Sequence, residues 1–194
     1  MKKNVYFLIY DKFADFEIVQ AALLLRDFNR ISVSFKEKMY TSETGFKVLA
    51  DREISDVNPN ETALFIIPGG EPKYFIKDPK YEKEVRELND LLIKLHEKKV
   101  IIAAICGGPT FLANSGILNG KNCTGSIKDD EKQYYEDTVF QDCDIIRDGN
   151  LLTAKGNAFT EFAIEIGRMM NVFENEQDAI ETLHWFRNVK DINQ

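Results

Sequence analysis

Apolar residues in this chain fall in short unbroken runs, and the stretches between them carry apolar positions at helical spacing. Val5-Tyr6-Phe7-Leu8-Ile9-Tyr10, Ala63-Leu64-Phe65-Ile66-Ile67 and Val100-Ile101-Ile102-Ala103-Ala104-Ile105 are runs of this kind; the first ends at charged residues, the second at Pro68-Gly69-Gly70 and the third at Cys106-Gly107-Gly108. Such runs mark strands buried on both faces of a parallel sheet. Ile31 to Phe35 alternates as a second strand, and Thr44 to about Ile54 suits a small excursion or hairpin. Between the runs, Asp15 to about Asn29 predicts a helix with acids in its first turn, and Lys80 to Lys98 a long amphipathic one. Late in the chain, Cys143 to Arg147 and Leu151 to Ala154 flank Asp148-Gly149-Asn150, a hairpin signal. A helix from Phe159 to Met170 and a last one from Glu176 to about Asn188 follow, the latter needing a partner surface for Leu183, Trp185 and Phe186. The alternation predicts an α/β fold: a doubly wound, mostly parallel sheet with right-handed crossovers and helices on both faces.

Composition narrows the function classes. The 194 residues suit a single domain, and the net charge of -7 opposes binding to a phosphate backbone, so no nucleic-acid partner is expected. The apolar run after Met1-Lys2-Lys3-Asn4 is too short for a signal peptide, and no stretch reaches the ~20 apolar residues of a membrane span. A cytoplasmic location with no membrane partner is the expectation. Cys106, Cys123 and Cys143 form an odd set without CxxC spacing, so the thiols are expected to be reduced. With only His96 and His184 beside them, no metal is expected. No GxGxxG follows any strand, so no nucleotide cofactor is expected either.

In open parallel sheets, ligands bind beyond the carboxyl ends of the strands. Four segments converge there: Phe13 to Glu17, Pro68-Gly69-Gly70, Cys106-Gly107-Gly108 and Gly156-Asn157. The third has the form of a nucleophile elbow, with Ala104 two residues before the nucleophile and Gly108 two after. An elbow strains Cys106, points its side chain into the crevice and leaves the Gly107 amide to donate to an oxyanion, with Gly70 as second donor. A free cysteine is ordinarily a small buried hydrophobe, and Cys123 and Cys143 are read that way. For Cys106 the helix N-terminus that follows is expected to favour the thiolate. Glu17 alone reads as dipole compensation in a first helical turn, as Asp15 does. Placed beside the thiol it would instead form a coupled pair, the acid's proton affinity raised and the thiol's lowered. Gly69, Ser126 and Asn157 are further candidates to line the site. His96 enters from the opposite sheet edge, and His184 lies on the last helix, able to reach a site only by folding back or from another subunit.

These positions resemble the ThiJ/PfpI superfamily, which shares the class I glutamine amidotransferase-like, flavodoxin-like fold. The resemblance rests on Glu17, Ile67-Pro68-Gly69-Gly70, Ala103-Ala104-Ile105-Cys106-Gly107-Gly108-Pro109 and Leu152-Thr153-Ala154-Lys155-Gly156-Asn157, over about residues 3–172. It implies Cys106 as nucleophile, Glu17 as its hydrogen-bonded acid, the Gly70 and Gly107 amides as oxyanion hole, no cofactor and a homodimer. Where many relatives carry a histidine, this chain has Thr124-Gly125-Ser126-Ile127. A peptidase or glutaminase of this fold uses a histidine to move the thiol proton, and none is placed here to do so. The resemblance therefore implies chemistry on a small electrophile, glyoxalase- or deglycase-like or hydratase- or hydrolase-like. Its competitor is redox sensing through oxidation of Cys106.

Overall fold

The computed structural model describes residues 3–36 and 38–187. A seven-stranded sheet forms the centre. It contains β1 (Asn4–Leu8), β2 (Asn29–Ser34), β5 (Arg52–Glu53), β6 (Thr62–Ile67), β7 (Ile101–Ile105), β10 (Ile145–Asp148) and β11 (Leu151–Ala154). A hairpin of β3 (Met39–Thr41) and β4 (Lys47–Leu49), and a small pair of β8 (Asn122–Cys123) and β9 (Val139–Phe140), stand beside it. The helices are α1 (Val19–Leu24), α2 (Pro72–Lys77), α3 (Glu82–Glu97), α4 (Pro109–Asn114), α5 (Phe159–Met169) and α6 (Glu176–Arg187).

In the main sheet the strand order is β10-β11-β7-β6-β1-β2-β5, and every pairing is parallel except the β10–β11 hairpin. The unbroken apolar runs are the central strands. Leu64 to Ile67 of β6 and Ile102 to Ile105 of β7 are completely enclosed, because helices cover both faces. α1 packs against α5, with α6 outside it, while α2, α3 and α4 pack together and α3 meets β7. Burial of each large aliphatic side chain here contributes about 1.5–3 kcal/mol of apolar transfer. After β1 the chain winds out through β2 and β5, then returns to β6 on the other side of β1 and continues to β7. That reversal opens a crevice at the carboxyl ends of β1, β6 and β7. Among the described residues, no helix is long and apolar enough to cross a membrane.

The elements depart from the sequence expectation in particular places. The segment from Asp15 is a single 3-10 turn, Asp15–Glu17, followed by the short α1, and Asn29 already pairs with Asn4 in the sheet. The apolar spacing there does not measure helix length: Ile18, Ala21 and Leu25 are buried, while Val19 and Leu23 are exposed. The hairpin lies earlier than the range from Thr44, with its turn at Gly45, whose φ of 93° suits glycine. Position 188, the expected end of the last helix, lies outside the described residues.

Candidate active site at the elbow after β7

β7 delivers Cys106 to the crevice with φ of 60°, a left-handed backbone that a side-chain-bearing residue rarely adopts. Two bonds hold the turn. The Cys106 N–H donates to the Ala154 carbonyl at 2.8 Å, and the Gly108 N–H donates to that of Ile105 at 2.8 Å. A Cβ on Gly108 would lie 2.7 Å from the Ile67 carbonyl oxygen and 2.8 Å from that of Pro68, so only glycine lets the elbow sit this close to the end of β6.

Glu17 arrives from the 3-10 turn after β1 and is 2% exposed. The Gly69 N–H donates to its Oε2 at 2.7 Å, and the carboxyl shares a hydrogen bond with the Cys106 sulfur. The two groups occupy one small space. A Cβ built on Gly69 would meet Glu17 Oε2 at 2.5 Å and Cys106 Sγ at 3.0 Å, and one on Gly156 would meet Sγ and Glu17 Oε1 at 3.0 Å each.

Burial raises Glu17 to about 7, against the Gly69 N–H and the thiol, which favour its charge. Burial also raises Cys106, to about 11, with the charge of Glu17 as the next cause and the Ser126 and Gly107 donors opposing it. The expectation of a lowered thiol pKa is thus corrected. α4 starts at Pro109, beyond the elbow, and spans only 6 residues, whereas desolvation and the facing carboxylate both act directly to raise the thiol. The two groups titrate as a unit that gives up one proton near neutral pH and the second in strong base. In between, the pair holds one proton.

Tyr10 is a component the sequence pattern concealed. It is fully buried at the end of an apolar run, and its hydroxyl donates to the carbonyls of Gly69 at 2.7 Å and Pro68 at 3.0 Å. Desolvation and the nearby acids push the phenol well above its ordinary pKa, so it remains a donor. It fixes the loop that carries the Gly69 and Gly70 amides. Glu43, from the β3–β4 turn, is a second such component. Its N–H donates to the Phe13 carbonyl at 2.9 Å, and its charge further raises Glu17.

The half-buried Cys106 opens into a cleft of about 620 Å³, whose walls include Lys12, Glu71, Tyr74, Tyr81, Ser126 and Lys128. A shallower hollow of about 590 Å³ at the opposite sheet edge, lined by Lys98, Lys99 and Met169, contains no cysteine. The Gly107 N–H is turned toward the Cys106 sulfur, and the Gly70 N–H, at φ of 134°, has no partner among the described residues. Ser126 lies beside the sulfur. Asn157 does not: exposed, it donates from Nδ2 to Asp144 Oδ1 at 3.4 Å, and Gly156 is the residue that faces the pair. Cys123, the second residue of β8, is fully enclosed, and Cys143 donates from Sγ to the Ile145 carbonyl at 3.7 Å. His96 is in the last turn of α3, which enters the sheet from the edge opposite Cys106, and His184 is exposed on α6. No group of three or more His, Cys, Asp or Glu side chains suited to a metal ion occurs among the described residues.

The pattern of the DJ-1/PfpI family matches residues 3–169, nearly the whole of this architecture. The chain belongs to the DJ-1/PfpI family. Its relatives in this family include a Bacillus subtilis protein named as an uncharacterized protease, 33% identical over 175 residues, which are 87% of this chain and 84% of that one. A Pyrococcus abyssi protein named as a deglycase is 28% identical over 156 residues, 78% of this chain and 89% of that one. Among solved structures, a DJ-1 superfamily protein from Agrobacterium tumefaciens superposes with a TM-score of 0.80 at 23% identity, covering 96% of this chain and 98% of the other. That likeness supports the DJ-1/PfpI fold, a flavodoxin-like sheet with an elbow after its central strand.

Proposed function

We propose that this DJ-1/PfpI protein is a cofactor-independent enzyme that attacks small electrophiles through Cys106, with Glu17 as the acid that moves the proton. One observation carries this reading: a cysteine held at φ of 60°, its sulfur hydrogen-bonded to an enclosed carboxyl at the head of an open cleft. A strained backbone and a carboxyl buried near its neutral form are costly, and such costs concentrate where chemistry occurs.

With a 2-oxoaldehyde the steps balance within the site. The sulfur adds to the aldehyde carbon, opening the carbonyl, and the shared proton of the pair passes to the carbonyl oxygen. In this reading the Gly70 and Gly107 amides would donate to that oxygen as its charge develops, the Gly107 N–H turning from the sulfur to do so. Glu17, now a carboxylate, takes the proton on the same carbon and returns it to the neighbouring one, while the hydroxyl proton passes from the first oxygen to the second. A thioester of a 2-hydroxy acid results, and water cleaves it, releasing the acid and restoring the thiol. The curated relatives named as deglycases support chemistry at a carbonyl adduct, whereas the peptidase route lacks a histidine near the pair.

A redox-sensing role draws on the same donors. Two equivalents of peroxide would take the Cys106 thiolate through a sulfenate to a sulfinate, releasing two waters, and Glu17, Ser126 and the Gly107 N–H, all beside the sulfur, would be its hydrogen-bonding partners. Methylglyoxal consumption, compared with the mass of Cys106 after dilute peroxide, separates the two. Consumption with turnover, abolished by Cys106→Ser, supports the enzyme. No turnover together with a gain of two oxygens on Cys106 alone would replace it with the sensor.

A further inference from the structure

Ser126 follows β8 and lies on the cleft wall beside Cys106 and Gly107. Its backbone is fixed to the elbow, since the Ser126 N–H donates to the Cys106 carbonyl at 2.8 Å. Its hydroxyl oxygen is fixed from the other side, where the Gly156 N–H donates to Ser126 Oγ at 3.1 Å. Gly156 is itself against the reacting pair, its Cβ position lying 3.0 Å from Cys106 Sγ.

A serine hydroxyl has one hydrogen to donate. With Oγ accepting from Gly156, and the Ser126 backbone tied to the Cys106 carbonyl, the hydroxyl hydrogen is left free to turn toward the sulfur, whose ionisation it favours. The pair holds one proton in the neutral range, and its distribution is set by which of the two anions is better solvated by fixed donors. Glu17 receives the Gly69 N–H. Beside the sulfur stand the Gly107 N–H and the Ser126 hydroxyl, both of which favour its charge.

We propose that Ser126 is the positioning donor that draws the shared proton from Cys106 toward Glu17 and so raises the fraction of reactive thiolate in the monoanionic pair. This rests on the assignment of Cys106 and Glu17 as the reacting pair and adds to it the residue that sets its ionisation. No proton leaves Ser126; its hydrogen bond is stronger to the thiolate than to the thiol.

The test is the pH dependence of Cys106 alkylation by iodoacetamide, mapped by peptide, in the full chain and in Ser126→Ala and Ser126→Thr. Ser126 is exposed, so truncation leaves the core intact, and the unfolding midpoint of each variant is measured alongside. Ser126→Ala is expected to slow labelling at neutral pH about three- to tenfold, as follows from losing one hydrogen bond to a charged group. Ser126→Thr, which keeps the hydroxyl, is expected to restore it. An Ala variant that labels like the parent, or a Thr variant as slow as Ala, would overturn the role of Ser126 and leave the Cys106–Glu17 reading standing. A parent protein in which Cys106 labels no faster than Cys123 would overturn that reading, and this inference with it.

Discussion

The Gly69 N–H donates to Glu17 Oε2 at 2.7 Å, and the space where Gly69 lacks a side chain is the space in which Glu17 and Cys106 meet. A methyl group there would lie 2.5 Å from the carboxylate oxygen and 2.6 Å from Cys106 Cβ. Gly69→Ala is therefore expected to force the pair apart, destabilise the fold by about 1–3 kcal/mol and slow Cys106 alkylation. Gly156→Ala, with contacts of 3.0 Å to the same two groups, is expected to do less. Denaturant midpoints and labelling rates of both variants check this.

Tyr10 supports that loop from beneath, through its bonds to the Gly69 and Pro68 carbonyls. Tyr10→Phe preserves the ring's edge-on contacts with Phe75 and Phe111 and removes only the hydroxyl. Leaving buried carbonyls without their donor costs about 1–3 kcal/mol. The urea midpoint should fall accordingly, and turnover should drop as the Gly69-Gly70 amides lose their fixed position.

Glu17 makes stability depend on pH with a definite sign. Its native pKa, about 7, lies above the ordinary value of 4.5, so the folded state binds the extra proton. This group's stabilisation is present in full below pH 4.5 and is lost as pH rises through 7, amounting to about 3 kcal/mol at most. Glu17→Gln removes the dependence. Urea unfolding at pH 5 and pH 8 should show the parent losing stability relative to the Gln variant at the higher pH, and parallel changes in both would contradict the burial argument.

The sheet was legible because strands buried on both faces need continuous apolar runs, as in β1, β6 and β7. The elbow was legible because its glycines and proline follow the central run without a gap. Helix lengths near α1 were not, since Leu23, Leu24 and Leu25 satisfy a helical period while the chain turns out at Asn29 to pair with β1. Tyr10 was hidden because a tyrosine in an apolar run reads as filler until its hydroxyl is seen under the Gly69 carbonyl. Asn157 was misplaced by one residue, a distinction settled by the local turn after β11. The direction of the Cys106 shift depended on burial and on the distance to Glu17, neither of which is encoded in spacing.

The most direct test follows Cys106 alkylation against pH in the parent, Glu17→Leu, His96→Ala and His184→Ala, with Cys143 as internal reference. In the parent, labelling should rise first near pH 7, as the pair loses its first proton, and again toward 11. Glu17→Leu should abolish the lower step and leave a single rise, while both histidine variants keep the two steps. A lower step that survives Glu17→Leu, or disappears with either histidine, would contradict the pairing of Cys106 with Glu17.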